Sequence, residues 1–149
     1  MDELRMIPVD EKPITQRYAR ARGRLLVAPE TLRRLQSGDL PKGDPIPVAK
    51  VAAIQAAKDT SRILPLCHPL PLLGVDVSIR VEEEPPAIWV EAAVKAEART
   101  GVEMEALTAV SAGLLCLYDM LKAVDKGMVL GEVALYEKRG GRSGDYRRS

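Results

Sequence analysis

The stretch Gly101–Met128, GVEMEALTAVSAGLLCLYDMLKAVDKGM, decides how this chain folds. Leu107, Val110, Leu114, Leu117 and Leu121 recur at steps of three and four, the spacing of one apolar helix face. The pattern predicts a long, largely buried helix. Acids stand at its front, where Glu103 and Glu105 bracket Met104, while Asp119, Lys122 and Lys126 stand at its back. Helical spacing makes Asp119 and Lys122 surface neighbours. Such a pair is either an ordinary ion pair or a proton donor and acceptor working on one ligand.

Upstream of this helix, Val75, Val77, Ile79 and Val81 alternate with Asp76, Ser78, Arg80 and Glu82. After a turn at Glu84-Pro85-Pro86, Ile88, Val90, Ala92, Val94 and Ala96 alternate with Trp89, Glu91, Lys95 and Glu97. Period-two patterns on both sides of a turn predict an antiparallel hairpin with one buried face and one wet face. A last strand is expected near Met128–Tyr136. Towards the N-terminus, Arg17–Val27 sets Ala19, Ala21, Gly23, Leu25 and Val27 against Arg20, Arg22 and Arg24, a half-buried strand with a basic outer face. Pro29–Leu35 suggests a short helix stopped by Ser37-Gly38. Asp44 caps a second helix that opens with Pro45, shows Val48, Val51, Ala52 and Ile54 as its apolar face, and fades near Lys58–Thr60.

Strand, helices, two strands, helix, strand is the β-α-β-β-α-β plan with an extra helix. The expected class is therefore α+β, a ferredoxin-like antiparallel sheet with helices packed on one face. The other sheet face is left uncovered, which points to a second subunit. One domain over residues 1–149 is expected, with an aperiodic arm at 1–14 and a Gly/Arg-rich tail at 139–149.

Composition narrows the function. Among 149 residues, 22 Lys+Arg against 21 Asp+Glu leave a net charge of +1, without the basic excess of a nucleic-acid binder. There is no Phe, one Trp and four Tyr, too few for base-stacking platforms. RNA binding through the Arg20/Arg22/Arg24 face is disfavoured on both counts. Cys67 and Cys116 lie in apolar surroundings and read as buried free thiols, which suits a reducing compartment. No signal peptide and no apolar run of about twenty residues is visible, so a cytoplasmic protein without a membrane partner is expected.

The single histidine, His68, falls in Pro65–Leu72, where three prolines break any regular structure and can stiffen a site. It is a surface histidine or a functional one. Cys67 and His68 are adjacent and no second pair has ligand spacing, so no metal site is expected. Lys42 precedes a helix N-terminus and could add charge to an anion site there. The Gly140-Gly141-Arg142-Ser143-Gly144 segment either wraps an anion or frays. Several cations set among acids suit a polyanionic small molecule. Glu105 and Asp119 are fourteen residues apart, so on one helix they lie about 21 Å apart. Either one end is catalytic, or the site is built from two chains.

Lys42-Gly43-Asp44, AAIQAAK (52–58), PLCHPLPL (65–72), TGVEMEALTAVSAGLLCLYDMLKAVDKGM (100–128) and GGRSGD (140–145) together resemble the cyclic pyranopterin monophosphate synthase (MoaC) family of molybdenum-cofactor biosynthesis. Met6-Ile7-Pro8-Val9-Asp10 departs from it, with Pro8 where the family usually carries an acid. The resemblance implies a ferredoxin-like subunit in a homohexamer of three dimers, with sites at subunit interfaces. It implies conversion of 3′,8-cyclo-7,8-dihydroguanosine 5′-triphosphate to cyclic pyranopterin monophosphate with release of pyrophosphate. At matching positions it makes Asp119, Lys42 and Lys122 catalytic. Leu66, Cys67, His68, Met104, Glu103 and Glu105 would contact substrate, with Arg17, Lys126, Lys138 and Arg142 suited to the triphosphate. The sequence requires no cofactor, and Mg2+ could accompany the triphosphate.

Overall fold

The structure, a computed structural model, describes residues 3–141 and 144–149. Its elements run β1 (Thr15–Leu26), α1 (Pro29–Ser37), α2 (Pro45–Lys58), α3 (Thr60–Ile63), β2 (Leu72–Glu83), β3 (Pro86–Ala98), α4 (Glu103–Leu121), β4 (Val129–Arg139) and β5 (Tyr146–Arg147). The strands form one sheet in the order β2-β3-β1-β4-β5, and every neighbouring pair is antiparallel. The order 2-3-1-4 is that of the split β-α-β-β-α-β unit, with β5 added at the β4 edge. The expected α+β, ferredoxin-like class is found.

Alternation along β1 and β3 sets the inner face. Ala19, Ala21 and Leu25 of β1 meet Val94, Ala92 and Ile88 of β3 in a fully buried layer. Helix α4 lies on that layer with Val110, Leu114, Leu117 and Leu121 fully buried. Each such Leu contributes about 2 kcal/mol by leaving water. The helix can sit this low because β1 carries Gly23. A Cβ there would stand 2.7 Å from Val133 Cγ2 and 3.1 Å from Leu114 Cδ1. By length and composition α4 could cross a bilayer, but here it is the core helix, packed on α2 and the sheet.

The structure departs from the sequence reading in four places. On α2 the buried face is Ala49, Ala53, Ala56 and Ala57, whereas Val48 and Val51 are exposed. The seam between α2 and α4 admits only small side chains, so the larger valines turn outward. Helix α4 ends at Leu121 rather than continuing to Met128; Lys122 is its C-cap, and Val124 and Asp125 N–H groups fold back onto the Leu121 carbonyl. The cysteines are half-buried rather than buried. The chain beyond Tyr136 continues as strand to Arg139 and, in its described part, returns as β5, with Lys138 paired to Tyr146.

Asp125 explains why α4 stops where it does. Its Oδ2 accepts from Ala28 N–H at 2.9 Å and Thr31 Oγ1 at 2.7 Å, and its Oδ1 from Gly127 N–H at 3.1 Å. The first helical turn of α1 has no capping side chain of its own, so this carboxylate, 97 residues away from Ala28, satisfies it. Burial would raise the Asp125 carboxyl, but the three hydrogen bonds outweigh it and hold the group below its ordinary value.

Asp125→Ala should lower the unfolding free energy by about 3 kcal/mol, because three donors lose their acceptor. A carboxyl depressed in the folded state stabilises it above the ordinary carboxylate range, and that contribution disappears as the pH falls through and below it. Urea unfolding at neutral pH and near pH 3 checks both parts: the gap between wild type and Asp125→Ala narrows in acid.

Candidate active site

Two clusters of chemical side chains stand at opposite ends of α4, a helix of 19 residues and therefore about 28 Å long. At the C-terminal end, Lys122 Nζ lies 2.9 Å from Asp119 Oδ1, the i,i+3 contact expected of a helix. Lys42 arrives from the loop before α2. Asp44 fixes that loop by accepting the Ile46 N–H at 3.1 Å, with Pro45 opening the helix as expected. Lys42 Nζ then stands 3.9 Å from Asp119 Oδ1 and 3.3 Å from the Asp119 carbonyl oxygen, to which it donates. The hydrogen bond and charge of Lys122, followed by the charge of Lys42, hold the Asp119 carboxyl below its ordinary value. All three side chains are substantially exposed, so their positions come from mutual charge rather than burial.

At the N-terminal end of α4 the arrangement is reversed. Glu105 is 3 % exposed, and its Oε1 is buried with no hydrogen-bond partner among the described residues. Burial pushes its carboxyl up and Glu103 adds to this, against a hydrogen bond from its own N–H. Glu103 reaches Lys138 of β4 at 3.7 Å, an ion pair too long to be a hydrogen bond. Met104 between them is 39 % exposed and faces a cavity of about 680 Å³ that Leu66, Cys67, His68 and Glu103 also line. The loop of Cys67 and His68 is irregular, as its prolines dictate, and is tied by the Cys67 N–H to the Leu64 carbonyl at 3.1 Å. Burial first, then Glu105 and Glu103, push the Cys67 thiol up. A thiol held neutral in this way is a contact surface rather than a nucleophile.

Arg17 closes this end. It is 6 % exposed, and its Nε donates to the Ala98 carbonyl at 3.2 Å. The backbone of Gly140 and Gly141 packs against it so closely that a Cβ at Gly141 would collide with the guanidinium, and both glycines hold positive φ. Gly140 N–H donates to Asp145 Oδ1 at 3.2 Å, so the described part of this loop is tied rather than frayed. Arg142 lies outside the described residues. Lys126 is exposed on the turn after α4 and, among the described residues, pairs with none of the others. Among the described residues no group of three His, Cys, Asp or Glu could hold a metal ion.

The outer sheet face is not a free basic strip. Arg20 pairs with Glu91 at 3.0 Å and Glu137 at 3.6 Å, and Arg24 with Glu82 at 3.5 Å and with Glu132. Arg22 stacks between Tyr136 at 4.2 Å and Trp89 at 4.9 Å. The alternation already put Glu82 and Glu91 on the wet face; sequence reasoning missed Glu132 and Glu137 of β4, which complete the neutralisation. It also missed Lys12 and Arg5, which line the His68 cavity; nothing in the aperiodic arm signals where it packs.

The chain is a helix-backed ferredoxin-like sheet with an acid–base cluster at one end of its core helix and a cavity-forming cluster at the other, an arrangement that suits a small-molecule enzyme. The chain belongs to the MoaC family, whose profile matches residues 6–141. It is 53 % identical over 146 residues to the cyclic pyranopterin monophosphate synthase of Thermomicrobium roseum, covering 98 % of this chain and 88 % of that protein. The synthase of Parvibaculum lavamentivorans is 49 % identical over 143 residues, covering 96 % and 89 %. That of Heliobacterium modesticaldum is 51 % identical over 144 residues, covering 97 % and 91 %.

Lys122→Met should move the Asp119 carboxyl back towards its ordinary value, since the largest cause of its depression is removed; Lys42→Met should move it less. Carboxyl-carbon NMR through an acid titration reads both shifts, and equal shifts would contradict the order of the two contacts.

Proposed function

We infer that this chain catalyses the cyclic pyranopterin monophosphate synthase reaction: 3′,8-cyclo-7,8-dihydroguanosine 5′-triphosphate goes to cyclic pyranopterin monophosphate and pyrophosphate, early in molybdenum cofactor biosynthesis. The observation that carries the reading is the Lys42–Asp119–Lys122 cluster on a family member. Opening the guanine-derived ring and closing the pyran move protons, and an aspartate between two ammonium groups offers an acceptor and two donors within reach of one another. Ring closure on the α-phosphorus breaks its bond to the bridging oxygen and releases pyrophosphate. Cations must meet that charge, and Arg17, Lys138 and Arg142 suit the task, with Lys126 on the same reading. Mg2+, where present, enters as the counter-ion of the triphosphate.

The second cluster suits the ring system. Leu66, Cys67 and Met104 offer a largely apolar wall, with the His68 imidazole beside it. Glu105 Oε1 is a buried acceptor with no donor among the described residues, and an N–H of the guanine-derived ring would supply one. Glu105 and Asp119 lie about 21 Å apart along α4, farther than one nucleotide-sized ligand bridges. We therefore assign the complete site to two chains, the N-terminal end of α4 from one and the C-terminal end from another. A homohexamer of three dimers in the cytoplasm, each whole chain working as one unit, fits this reading. The exposed Val48, Val51 and Leu115 offer apolar surface for such contacts.

Asp119→Asn and Lys122→Ala should bind the cyclised triphosphate yet lose at least about a hundredfold in pyrophosphate release, the usual weight of a positioned acid or base. Mixing Glu105→Ala with Asp119→Asn tests the shared site: mixed oligomers regain a fraction of wild-type activity. No regain would sink the two-chain assignment, and wild-type binding without pyrophosphate release would sink the catalytic one.

A further inference from the structure

Among the described residues the N-terminal arm is hydrogen-bonded to the body through one side chain, and that side chain is charged. Arg99, immediately after β3, donates from Nη1 to the Lys12 carbonyl at 2.7 Å and to the Asp10 carbonyl at 3.4 Å. The same stretch is closed into a turn by the Lys12 N–H on the Val9 carbonyl at 3.1 Å. Arg99 is only four residues before Glu103, so the tether joins the arm to the rigid base on which Glu103 and Met104 stand. Leu4 and Ile7 are 84 % and 62 % exposed. An arm that buries so little has no packing of its own to fix it, and it would fray without the strap.

The strap holds the arm against the cavity of His68. Leu4, Ile7 and Val9 line it together with Cys67, His68 and Met104, and Arg5 and Lys12 bring positive charge to its edge. Lys12 also borders a second cavity of about 260 Å³, lined by Arg17 and Gly141 among others. It is the residue the two cavities share. One side of that junction suits a ring system; the other holds a buried guanidinium and a glycine loop with little bulk, which suits phosphate oxygens.

We propose that residues 4–12 form a wall of the substrate site, in which Lys12 binds phosphate oxygens of the nucleotide-derived triphosphate and Arg99 is a positioning residue that holds Lys12 there. The proposal rests on the synthase reading for its ligand. Ile7 and Val9 face the cavity as apolar wall, and Pro8 between them restricts the backbone of the arm.

The test compares steady-state pyrophosphate release by wild type, Arg99→Ala, Lys12→Gln, Lys12→Arg and the Arg99→Ala/Lys12→Gln double variant, each with an unchanged thermal midpoint. Arg99→Ala and Lys12→Gln should each raise KM about tenfold, the scale of one charge-assisted contact, with kcat within about twofold. Lys12→Arg should restore most of the loss. The double variant should be no worse than Lys12→Gln alone, because Arg99 acts through Lys12. KM unchanged in both single variants, a fall in kcat at constant KM, or additive losses in the double variant would overturn the proposal. Calorimetric binding of the same nucleotide is measured alongside. If wild type binds without releasing pyrophosphate, the synthase reading fails, while the affinities of Lys12→Gln and Arg99→Ala still decide the arm.

Discussion

The seating of α4 on the inner face of β1 and β3 is the interaction on which the remainder depends. Val110, Leu114, Leu117 and Leu121 give up all contact with water there, and the absence of a side chain at Gly23 lets the helix approach closely. A helix held along its length by apolar contact behaves as a rigid spacer. Its charged side chains, Glu103, Glu105 and Asp119, stand at its two ends. The separation of the two clusters follows from burying the middle of one long helix, and the distance between them is fixed by its rise per residue.

The ends are electrostatic opposites for the same reason. At the N-terminal end the helix is still inside the protein, so Glu105 is desolvated and its carboxyl is pushed up. At the C-terminal end the helix has reached the surface, and Asp119 sits between two exposed ammonium groups that push it down. Two carboxylates on one helix are thereby separated in acidity by burial at one end and charge at the other. The first suits holding a proton or accepting a hydrogen bond in a dry pocket. The second suits exchanging protons with nearby amines.

Much of this was legible in the sequence, and the failures share a cause. The strands and α4 could be read because one face of each is apolar and the other is not. The Asp119–Lys122 contact followed from spacing alone. Helix α2 misled because it is apolar nearly all round, so periodicity could not say which face turns inward. The alanines win because the seam with α4 is narrow, a property of the partner and not of α2. Asp125 was invisible for a related reason: its partners Ala28 and Thr31 lie more than ninety residues away. Lys126 looked like the next turn of a helix that the Asp125 clasp had already ended. Cys67, His68 and Met104 were found as sequence features, but only the fold brings Met104 to the wall beside the other two.

The clasp and the strap solve similar problems at the two ends of α4. Each uses one charged side chain to satisfy groups that secondary structure leaves open: Asp125 takes the Ala28 N–H and the Thr31 hydroxyl at the start of α1, and Arg99 gives to carbonyls of the arm. The arm buries little apolar surface, whereas α1 also seats Leu32 in the core. The two charged side chains differ in exposure. Asp125 is buried, so its hydrogen bonds are made in a medium that strengthens them and their loss is felt in stability. Arg99 is exposed, so its loss leaves the fold intact and is felt only where the arm is needed. A buried charge therefore sets where the helix ends, while a surface charge sets how one wall of the cavity is held.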